Sequence, residues 1–322
     1  MSEAERAARA ALAGTPAWVV GGAVRDRLLG RPTVDLDLVV AADPSALARV
    51  LAGACDGSAF RLSEQHAAWR VLAPDGAWHV DLMPLEAGIE EDLARRDFTI
   101  NALAEPLDGG SLLDPHGGQA DLEAGRLRMV SEQGFADDPL RVLRAARLAC
   151  ELGLEIEPDT AAAARAHAPE LARVAPERLF AELRHVVCSP APLRGIELMD
   201  RVGATPVVLP ELAALRGIEQ SEYHHLDVYQ HTLAVLAEVI ELERDPGRAA
   251  GEHAPAVASL LAEPLADELT RGGALRFGAL LHDVAKLHTR AYTPEGRVTF
   301  IGHDELGSEL AAAALRRLRA SG

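Results

Sequence analysis

Apolar and polar positions alternate in short blocks over the first third of the chain, and turn-forming residues separate the blocks. Short apolar runs bounded by glycine and proline predict β-strands. The predicted strands are residues 17–20, 34–40, 68–72 and 78–83. Between them, the pattern predicts one helix over residues 23–29, ended by Gly30 and Pro32, and another over residues 44–51, capped by Asp43. The first third should therefore fold as a small mixed α/β domain.

From about Asp138 onward, the spacing of apolar residues indicates one helix after another. The predicted helices are residues 139–151, 159–166, 176–187, 228–243 and 276–287, with a proline- and glycine-spotted interruption at residues 245–264. The predicted fold class is α+β, with a mixed sheet and helices at the start and an all-helical remainder. We predict a head of residues 1–130, a helical neck of residues 131–200 and a helical body of residues 201–322.

Composition fits this division. The 322 residues are 48% hydrophobic and 25% charged, which is ordinary for a folded protein of two or three domains and excludes wholesale disorder. There is no uncharged apolar run of about 20 residues, and the first residues lack a basic segment followed by an apolar one. These features predict a cytoplasmic protein without a membrane partner.

Charge and cysteine content narrow the function further. A net charge of −17 argues against a surface coated for non-specific nucleic-acid binding, so any RNA would need a local basic strip. Cys55, Cys150 and Cys188 are far apart in sequence and form no Cys-x-x-Cys pair. They indicate neither a zinc knuckle nor a disulfide framework, and we expect buried, reduced thiols.

Candidate chemistry begins with Asp35-Leu36-Asp37, which lies in a predicted strand. Residues two apart in a strand point to the same face, so both carboxylates can converge on one site. Carboxylate oxygens suit Mg²⁺, and one or two such ions can bridge a triphosphate and stabilise a leaving pyrophosphate. The alternative is a solvated strand face with no ligand.

A second feature lies just upstream, where the first predicted strand ends in Gly21-Gly22 and a helix carrying Arg25 follows. Two glycines allow the backbone to approach phosphate oxygens closely, and the N–H groups at a helix start favour an anion. The alternative is an ordinary strand-to-helix turn.

These two features belong to a longer series of ordered blocks at residues 21–37, 95–103, 113–122 and 135–147. The blocks include Gly21-Gly22-Ala23-Val24-Arg25-Asp26, Arg95-Arg96-Asp97-Phe98-Thr99-Ile100-Asn101 and Asp138-Pro139-Leu140-Arg141. Together they resemble the bacterial tRNA nucleotidyltransferase and poly(A) polymerase family, a branch of the DNA polymerase β superfamily. The resemblance implies a polymerase-β-like head that adds C, A or both to the 3′ end of tRNA. It also implies CTP and ATP as substrates, Mg²⁺ as cofactor, and contacts with the tRNA 3′ end and acceptor stem.

The resemblance also implies residue roles. Asp35 and Asp37 would be the metal-binding catalytic pair, and Asp81 falls where many family members carry a strand carboxylate. The triphosphate would be held by Gly21, Gly22 and Arg25, whereas the ribose, the phosphates and neighbouring strands would be positioned by Arg95, Arg96 and Asp97.

The helix start at Asp138 and Arg141 resembles the part of the family that reads the incoming base. Residues three apart share a helix face, an aspartate accepts from an exocyclic amine, and an arginine donates to ring or carbonyl acceptors. Asp138 is also expected to be the helix N-cap, with Pro139 at the first helical position, which is compatible with base reading. Arg144 and Arg147 continue this face, and with Arg184 they could form the local basic strip. A solvated helix face is the alternative.

A second metal-ligating pattern lies in the body: His231, then His282-Asp283 on a predicted helix, then His303. Histidine and aspartate are suitable ligands for a divalent metal, although a single histidine in a helix is usually structural. In this order the four residues resemble the HD superfamily. The resemblance implies a possible second divalent metal and a phosphodiesterase or phosphatase activity.

Two departures from the family pattern remain. Only residues 82–94 separate Asp81 from Arg95, where many CCA-adding relatives carry a longer flexible loop, and this shortness favours a CC-adding enzyme. CCA addition and A addition or polyadenylation remain open. Relatives continue beyond a position such as Gly322, so the HD body is expected to be incomplete. The rival hypotheses are an HD phosphohydrolase with a vestigial head and a non-catalytic RNA-binding protein. Oligomeric state is left unpredicted.

Overall fold

The computed structural model describes residues 1–63, 67–220 and 226–321. The chain divides into two compact units, Met1–Gly134 and Phe135–Gly322. The helices of the first unit are α1 (Glu3–Ala11), α2 (Gly22–Leu28), α3 (Pro44–Ala54), α4 (Ile89–Ala94) and α5 (Gly118–Glu123). Its strands are β1 (Ala17–Val20), β2 (Asp35–Val40), β3 (Ser58–Ser63), β4 (Ala68–Leu72), β5 (His79–Pro84), β6 (Ala104–Pro106) and β7 (Arg126–Leu127).

Six strands of the first unit form one mixed sheet in the order β3-β4-β5-β2-β1-β6. Strands β2 and β5 are parallel, and the other neighbours pair antiparallel. The predicted mixed sheet is therefore confirmed, and the predicted strands over residues 17–20 and 68–72 match β1 and β4. Asp43 caps α3 as predicted, because its Oδ1 accepts from the Ser45 N–H at 3.0 Å.

The two faces of this sheet carry different apolar cores. On one face, side chains such as Leu36, Leu38 and Val80 pack with residues of α1 and α3, and they are almost completely buried. The opposite face holds a smaller core around Val39 and Leu93. Because side chains alternate along a strand, Asp35 and Asp37 share the second face with Val39. That core covers the end of β2 and leaves the beginning of the strand to the two aspartates.

Helices dominate the second unit. They are α6 (Gln133–Asp137, which spans the boundary), α7 (Leu140–Leu152), α8 (Pro158–His167), α9 (Pro176–Val187), α10 (Pro192–Arg201), α11 (Thr205–Val208), α12 (Pro210–Ala213), α13 (Val228–Arg244), α14 (Gly247–Ala250), α15 (Ala254–Leu261), α16 (Arg271–Leu281), α17 (Lys286–Thr289) and α18 (His303–Arg317). Short strands are β8 (Glu155–Ile156), β9 (Ala291–Tyr292) and β10 (Val298–Thr299), of which β9 and β10 pair. The helical remainder is as predicted.

Two details of this unit differ from the sequence-based expectation. The predicted helix over residues 276–287 is wrong, because α16 ends at Leu281 and residues 282–285 form a turn before α17. The turn carries Asp283 into the interior, where Lys286 and neighbouring histidines surround it. Residues 245–264, predicted as an interruption, contain α14 and α15, since the proline of α15 lies in the first turn, where a missing N–H is tolerated.

Two further findings concern the whole described chain. None of the helices in residues 1–63, 67–220 and 226–321 has the length and apolar character to cross a membrane. All three cysteines are free thiols, as expected. The expectation that all are buried is wrong, because only Cys150 is buried, and Cys188, directly after α9, is exposed.

Candidate active site

Three carboxylates and one imidazole line the start of β2 and the adjacent part of β5. The parallel register of these strands sets Asp37 opposite Asp81 and Asp35 opposite His79. The His79 Nδ1 lies 2.7 Å from the Asp35 Oδ1. Directly opposed side chains on neighbouring strands point to the same face, so the pairing brings both predicted catalytic aspartates together with Asp81.

Arg70 of β4 is the cationic partner of Asp81. Its Nε and Nη2 donate to the two Asp81 carboxylate oxygens, each at 2.7 Å. Such a bidentate pair fixes both groups, and it raises the pKa of the arginine. Asp81 is thereby held facing Asp37.

The electrostatic state of Asp37 follows from this crowding. Burial is the largest influence that raises the pKa of Asp37, and the charge of Asp81 adds to it. Arg96 and His79 act in the opposite direction but do not cancel the rise. Hard divalent cations prefer carboxylate oxygens, and a cation at Asp35 and Asp37 would offset the repulsion. The residues present therefore fit a divalent metal.

Gly21 brings a guanidinium close to the carboxylates. Its backbone has φ 69° and ψ −131°, a conformation that favours glycine. A Cβ at this position would lie 2.7 Å from the Arg96 Nη1 and 3.9 Å from the Asp37 Oδ2. Arg96 is also held by Asp92, whose Oδ2 accepts from the Arg96 Nη2 at 2.9 Å. Gly21 thus leaves the space in which Arg96 approaches the backbone beside Asp37.

A chain of hydrogen bonds joins the glycine block to the block that begins at Arg95. The Arg25 Nε donates to the Asp26 Oδ1 at 2.8 Å, and the Arg25 Nη1 donates to the Asn101 Oδ1 at 2.7 Å. The Asn101 Nδ2 in turn donates to the Asp97 Oδ1 at 3.0 Å. The chain positions the Arg25 side chain beside Gly22, whose Cβ would lie 3.4 Å from the Arg25 Nη2.

Arg95 has a different setting from its neighbour. Its side chain is 56% exposed, and its Nη1 lies 3.4 Å from the Glu86 Oε2. Exposure leaves this guanidinium accessible to a polyanionic ligand, whereas Asp97 is buried and accepts from the Phe98 N–H at 2.8 Å. Among Arg95, Arg96 and Asp97, Arg96 is the residue whose side chain lies next to Gly21.

The block at residues 113–122 supports this segment rather than lining the carboxylates. The Asp114 carboxylate accepts from the N–H groups of Gly118 and Gln119, at 2.6 and 3.0 Å, in the first turn of α5. The buried Asp121 Oδ2 accepts from the Thr99 Oγ1 at 2.7 Å and from the Arg128 Nε at 2.9 Å. The hydrogen bond from Thr99 to Asp121 therefore holds in place the segment that carries Arg96 and Asn101.

The predicted base-reading residues lie in the second unit at the start of α7. The helix begins at Leu140, so the N-cap position falls on Pro139 rather than on Asp138. The Asp138 Oδ1 still accepts from the Leu140 N–H at 3.3 Å, and the Asp138 Oδ2 accepts from the Arg178 Nη2 at 2.8 Å. The N-cap assignment is thus wrong by one residue, because Pro139 already has helical dihedral angles.

The arginines proposed for a basic strip, Arg144, Arg147 and Arg184, each lie close to a glutamate. Arg147 lies between Glu151 at 2.8 Å and Glu182 at 2.5 Å, and only 16% of its side chain is exposed. Arg144 lies 3.8 Å from Glu182. Arg184 pairs with Glu268 at 2.6 Å. These pairs favour a structural role for Arg147 and Arg184.

The second unit also contains a compact cluster of metal-ligating side chains. Among the described residues, the ligand atoms of His231, His282 and Asp283 lie within 4.8 Å of one another. The His303 Nε2 lies 3.7 Å from the Asp283 Oδ1, so all four predicted residues are brought together. The Nδ1 of His282 lies 2.8 Å from the Ala279 carbonyl oxygen, and the Nδ1 of His303 lies 2.7 Å from that of Phe300. If each Nδ1 donates there, both Nε2 atoms face Asp283 as acceptors or ligands.

Lys286 is the cation of this cluster. Its Nζ lies 2.8 Å from the Asp283 Oδ2, and it also donates to the Gln220 Oε1 at 2.8 Å. Burial alone would raise the pKa of Asp283, but the hydrogen bonds from His282 and Lys286 lower it to about 2. Asp283 is therefore ionised at neutral pH, and together with its histidine neighbours it forms a donor set that fits a divalent metal.

Sequence reasoning missed several site residues. Arg70, His79 and Asn101 were not singled out, although Asn101 lies within a quoted block. Strand alternation back from Asp81 would have placed His79 on the same face. The pairing of Arg70 depends on the register of β4 against β5, which no local pattern in the sequence encodes.

Comparison with known proteins gives the family. The profile of the poly(A) polymerase head domain matches residues 17–80 and 75–128. A profile described as a probable RNA and SrmB-binding site of polymerase A matches residues 153–215, and the HD domain profile matches residues 228–320.

Three curated relatives align over most of the chain. An A-adding tRNA nucleotidyltransferase of Deinococcus radiodurans is 41% identical, over 95% of this chain and 65% of the relative. A CC-adding tRNA nucleotidyltransferase of Thermus thermophilus is 38% identical, over 94% of this chain and 64% of the relative. A multifunctional CCA protein of Nitrosococcus oceani is 35% identical, over 94% of this chain and 70% of the relative. The chain thus spans just under two thirds of the first two relatives.

A solved structure supports the fold. The Thermotoga maritima CCA-adding enzyme complexed with tRNA aligns with a TM-score of 0.58 and 24% identity, over 96% of this chain and 88% of that one. The family suggested by the ordered motifs is confirmed: the chain belongs to the bacterial tRNA nucleotidyltransferase and poly(A) polymerase family.

Proposed function

We propose that this protein transfers nucleotides from CTP, ATP or both to the 3′ end of tRNA without a nucleic-acid template. The observation that carries the proposal is the convergence of Asp35, Asp37 and Asp81 beside Gly21 and Arg96. Paired strand carboxylates next to a close-approach glycine and a guanidinium suit two-metal phosphoryl transfer. The family relationship supports it, and divalent-metal dependence is what the family implies.

In the proposed reaction, the tRNA 3′-hydroxyl oxygen attacks the α-phosphate, a new P–O bond forms and pyrophosphate leaves with the electron pair of the broken bond. Asp35 and Asp37 would hold Mg²⁺, which supplies charge stabilisation and helps the hydroxyl to lose its proton. Arg96 lies where it can offset triphosphate charge, and the backbone at Gly21 and Gly22 leaves room for phosphate oxygens. Arg25 and Arg95 are further candidates for the triphosphate, and Asp97 positions Asn101.

We assign the choice of base to Asp138 and Arg141. Cytosine and adenine each present an amine beside a ring acceptor, which matches a carboxylate acceptor and a guanidinium donor. Arg178 holds Asp138 through one carboxylate oxygen, which orients the group. Arg144, at 34% exposure, is the arginine that we retain for RNA contact, whereas Arg147 is committed to its glutamates.

Among the possible products, we favour CC addition. The connection between β5 and α4 consists of residues 85–88 only, and a longer flexible loop at this place is associated with the switch from C to A in the family. The identities to an A-adding and to a CC-adding relative are similar, so they do not separate the two activities.

Three tRNA substrates separate the products: one ending before the CCA, one ending after the first C and one ending after both. Each is incubated with Mg²⁺ and labelled CTP or ATP. Addition of C without A supports CC addition, ordered addition of both supports a CCA enzyme, and repeated A addition supports polyadenylation. If none of the three substrates is extended by folded protein, the nucleotidyltransferase proposal is overturned.

The cluster of His231, His282, Asp283 and His303 supports a second candidate activity, metal-dependent phosphoester hydrolysis. The ligand atoms of His231, His282 and Asp283 are close enough to share one divalent ion, and the His303 Nε2 lies 3.7 Å from the Asp283 Oδ1. Release of phosphate from a small phosphomonoester or cyclic phosphodiester, dependent on added metal and lost in Asp283→Asn, would establish it. Absence of hydrolysis across Mn²⁺, Ni²⁺ and Mg²⁺ would reduce the cluster to a structural element.

A further inference from the structure

A row of side chains crosses the sheet from the carboxylates to its edge. Register pairs Asp37 of β2 with Asp81 of β5, Asp81 with Arg70 of β4, and Arg70 with Phe60 of β3. Directly opposed residues point to the same face, so all four side chains lie on the face that carries the catalytic candidates. Neighbouring strands are about 4.8 Å apart, which places Phe60 about 14 Å from Asp37.

The outer end of this row is open and apolar. Phe60 is 43% exposed. Ala59 of the same strand and Trp69 of β4 instead pack against the core on the other face of the sheet. The described members of the smaller core on the catalytic face lie on β1, β2, β5, β6 and α4, at Leu85 after β5, and at Ala102, Leu113 and Val130. None of those members comes from β3 or β4, so this part of the face lies beside that core.

The geometry of in-line displacement indicates which substrate approaches the carboxylates over β3 and β4. The close-approach glycine, Gly21, and its partner Arg96 lie at the end of β1, on one side of β2. In an in-line displacement, the attacking and leaving oxygens are on opposite sides of the phosphorus. If pyrophosphate leaves on the β1 side, the 3′-hydroxyl must arrive from the β5 side, over β4 and β3.

We propose that Phe60 and Arg70 bind the 3′-terminal nucleotides of the RNA substrate, an inference that rests on the proposed function. A base stacks on the exposed ring of Phe60, since every base has a π-face and such stacking tolerates different sequences. A backbone phosphate contacts Arg70, the cation of the row, which lies between the Asp81 carboxylate and the Phe60 ring. The Arg70 side chain remains 29% exposed while it holds Asp81, so it can serve both groups. A separation of about 14 Å, which corresponds to three strand spacings, suits a nucleotide one or two positions before the reacting end.

The first test compares Phe60→Ala, Phe60→Tyr and a matched control, Val50→Ala. Val50 is 53% exposed and lies on α3, whose buried residues pack on the other face of the sheet. In extension of a tRNA that lacks its terminal C residues, we expect Phe60→Ala to raise KM for RNA roughly tenfold, with KM for CTP unchanged. Phe60→Tyr, which keeps a ring, should restore the wild-type value, and Val50→Ala should leave it unchanged.

A binding measurement that needs no catalysis separates this proposal from the proposed function. A tRNA with 2-aminopurine near its 3′ end should lose fluorescence on binding, and Phe60→Ala should abolish the quenching that Phe60→Tyr retains. Arg70→Gln should lower the slope of log affinity against log salt by about one, as expected for one lost phosphate contact. If the wild-type protein quenches the fluorescence but adds no nucleotide, the proposed enzyme activity fails, whereas the proposed RNA contact of Phe60 stands.

Three results would overturn the proposal. An unchanged KM for RNA and unchanged quenching in Phe60→Ala would remove the ring from the RNA site. A rise confined to KM for CTP would assign Phe60 to the incoming nucleotide instead. A change in oligomeric state with RNA binding intact would make the exposed β3 surface a contact between protein chains.

Discussion

Asp37 and Asp81 lie opposite each other on the parallel strands β2 and β5, and only Asp81 has a bidentate arginine partner. Arg70 therefore neutralises one member of the pair, while the other remains partly buried beside a like charge. The consequence is a raised pKa for Asp37, caused first by burial and then by Asp81. Repulsion between Asp37 and Asp81 therefore destabilises the folded protein without a metal, and a bound cation would reduce this repulsion.

This relationship predicts the effect of Asp37→Asn on stability in EDTA. A carboxyl whose pKa is raised in the folded state holds its proton more tightly there than in the unfolded chain. Its contribution to stability is full below the ordinary value of 3.8 and is lost as pH rises through the folded pKa. We expect Asp37→Asn to unfold at a higher temperature than wild type at neutral pH, with the gain shrinking in mild acid.

Melting temperature against pH, measured with excess EDTA, checks this prediction. Asp75→Asn is the matched control because Asp75 lies on an exposed turn between β4 and β5, where its Oδ1 accepts from the Ala77 N–H. The control should follow wild type at every pH. A lower melting temperature for Asp37→Asn at neutral pH would contradict the destabilised-carboxylate argument, and Mg²⁺ should stabilise wild type more than the variant.

Gly21→Ala tests the close approach of Arg96. The substitution combines an unfavourable backbone conformation with a Cβ only 2.7 Å from the Arg96 Nη1, so either the guanidinium or the backbone must move. A residue held in a sparsely populated conformation costs about 1–3 kcal/mol. We expect a loss of stability in that range and at least a tenfold fall in kcat/KM for CTP, measured by chemical unfolding and by extension assays.

Gly14→Ala separates strain from crowding. Gly14 has φ +79°, and a Cβ there would have no neighbour within 4 Å. It should lose a similar amount of stability with activity unchanged. Equal loss of activity in both variants would mean that Arg96 does not depend on the space at Gly21.

The same residues indicate what can be predicted from a sequence. The strand carrying Asp35 and Asp37, the glycine turn and the helical remainder follow from local patterns, since alternation and helix periodicity are properties of short segments. The partnership of Arg70 with Asp81, and of Arg25 with Asn101, depends on strand register and on chain segments far apart in sequence. The end of α16 at Leu281 was missed because the apolar spacing continues through residues 282–287, whereas the contacts that hold Asp283 in the interior are made with residues of other segments.

Asp35→Asn combined with Asp37→Asn tests whether the head and the HD cluster act independently. The double substitution removes the two carboxylates that we propose hold the metal, and we expect nucleotide addition to fall by on the order of a thousandfold. Metal binding at the His231 cluster should be unchanged, because its ligands all lie in the second unit. Wild-type rates of addition in the double variant would reject the polymerase-type mechanism.

The cluster itself predicts opposite effects for two neighbouring substitutions. His231 and His282 direct their Nε2 atoms toward the Asp283 Oδ2, at 3.5 and 3.1 Å, and the Lys286 ammonium lies 2.8 Å from the same oxygen. A divalent ion that uses this oxygen must therefore compete with Lys286. Asp283→Asn removes the shared ligand and should abolish binding of Mn²⁺ or Co²⁺. Lys286→Met removes the competing cation and should tighten metal binding by about tenfold, or about 1.4 kcal/mol.

Calorimetric titration with Mn²⁺ and the visible absorption of bound Co²⁺ measure both effects, and His288→Ala is the control because that exposed histidine lies on α17 outside the cluster. Lys286→Met also leaves the Gln220 Oε1 without its ammonium donor, so the metal-free variant should unfold more easily than wild type. Metal should then restore more stability to the variant than to wild type, because it replaces a missing positive charge beside Asp283. Weaker metal binding in Lys286→Met would instead mean that the lysine holds Asp283 in its ligating position, and the competition argument would fail.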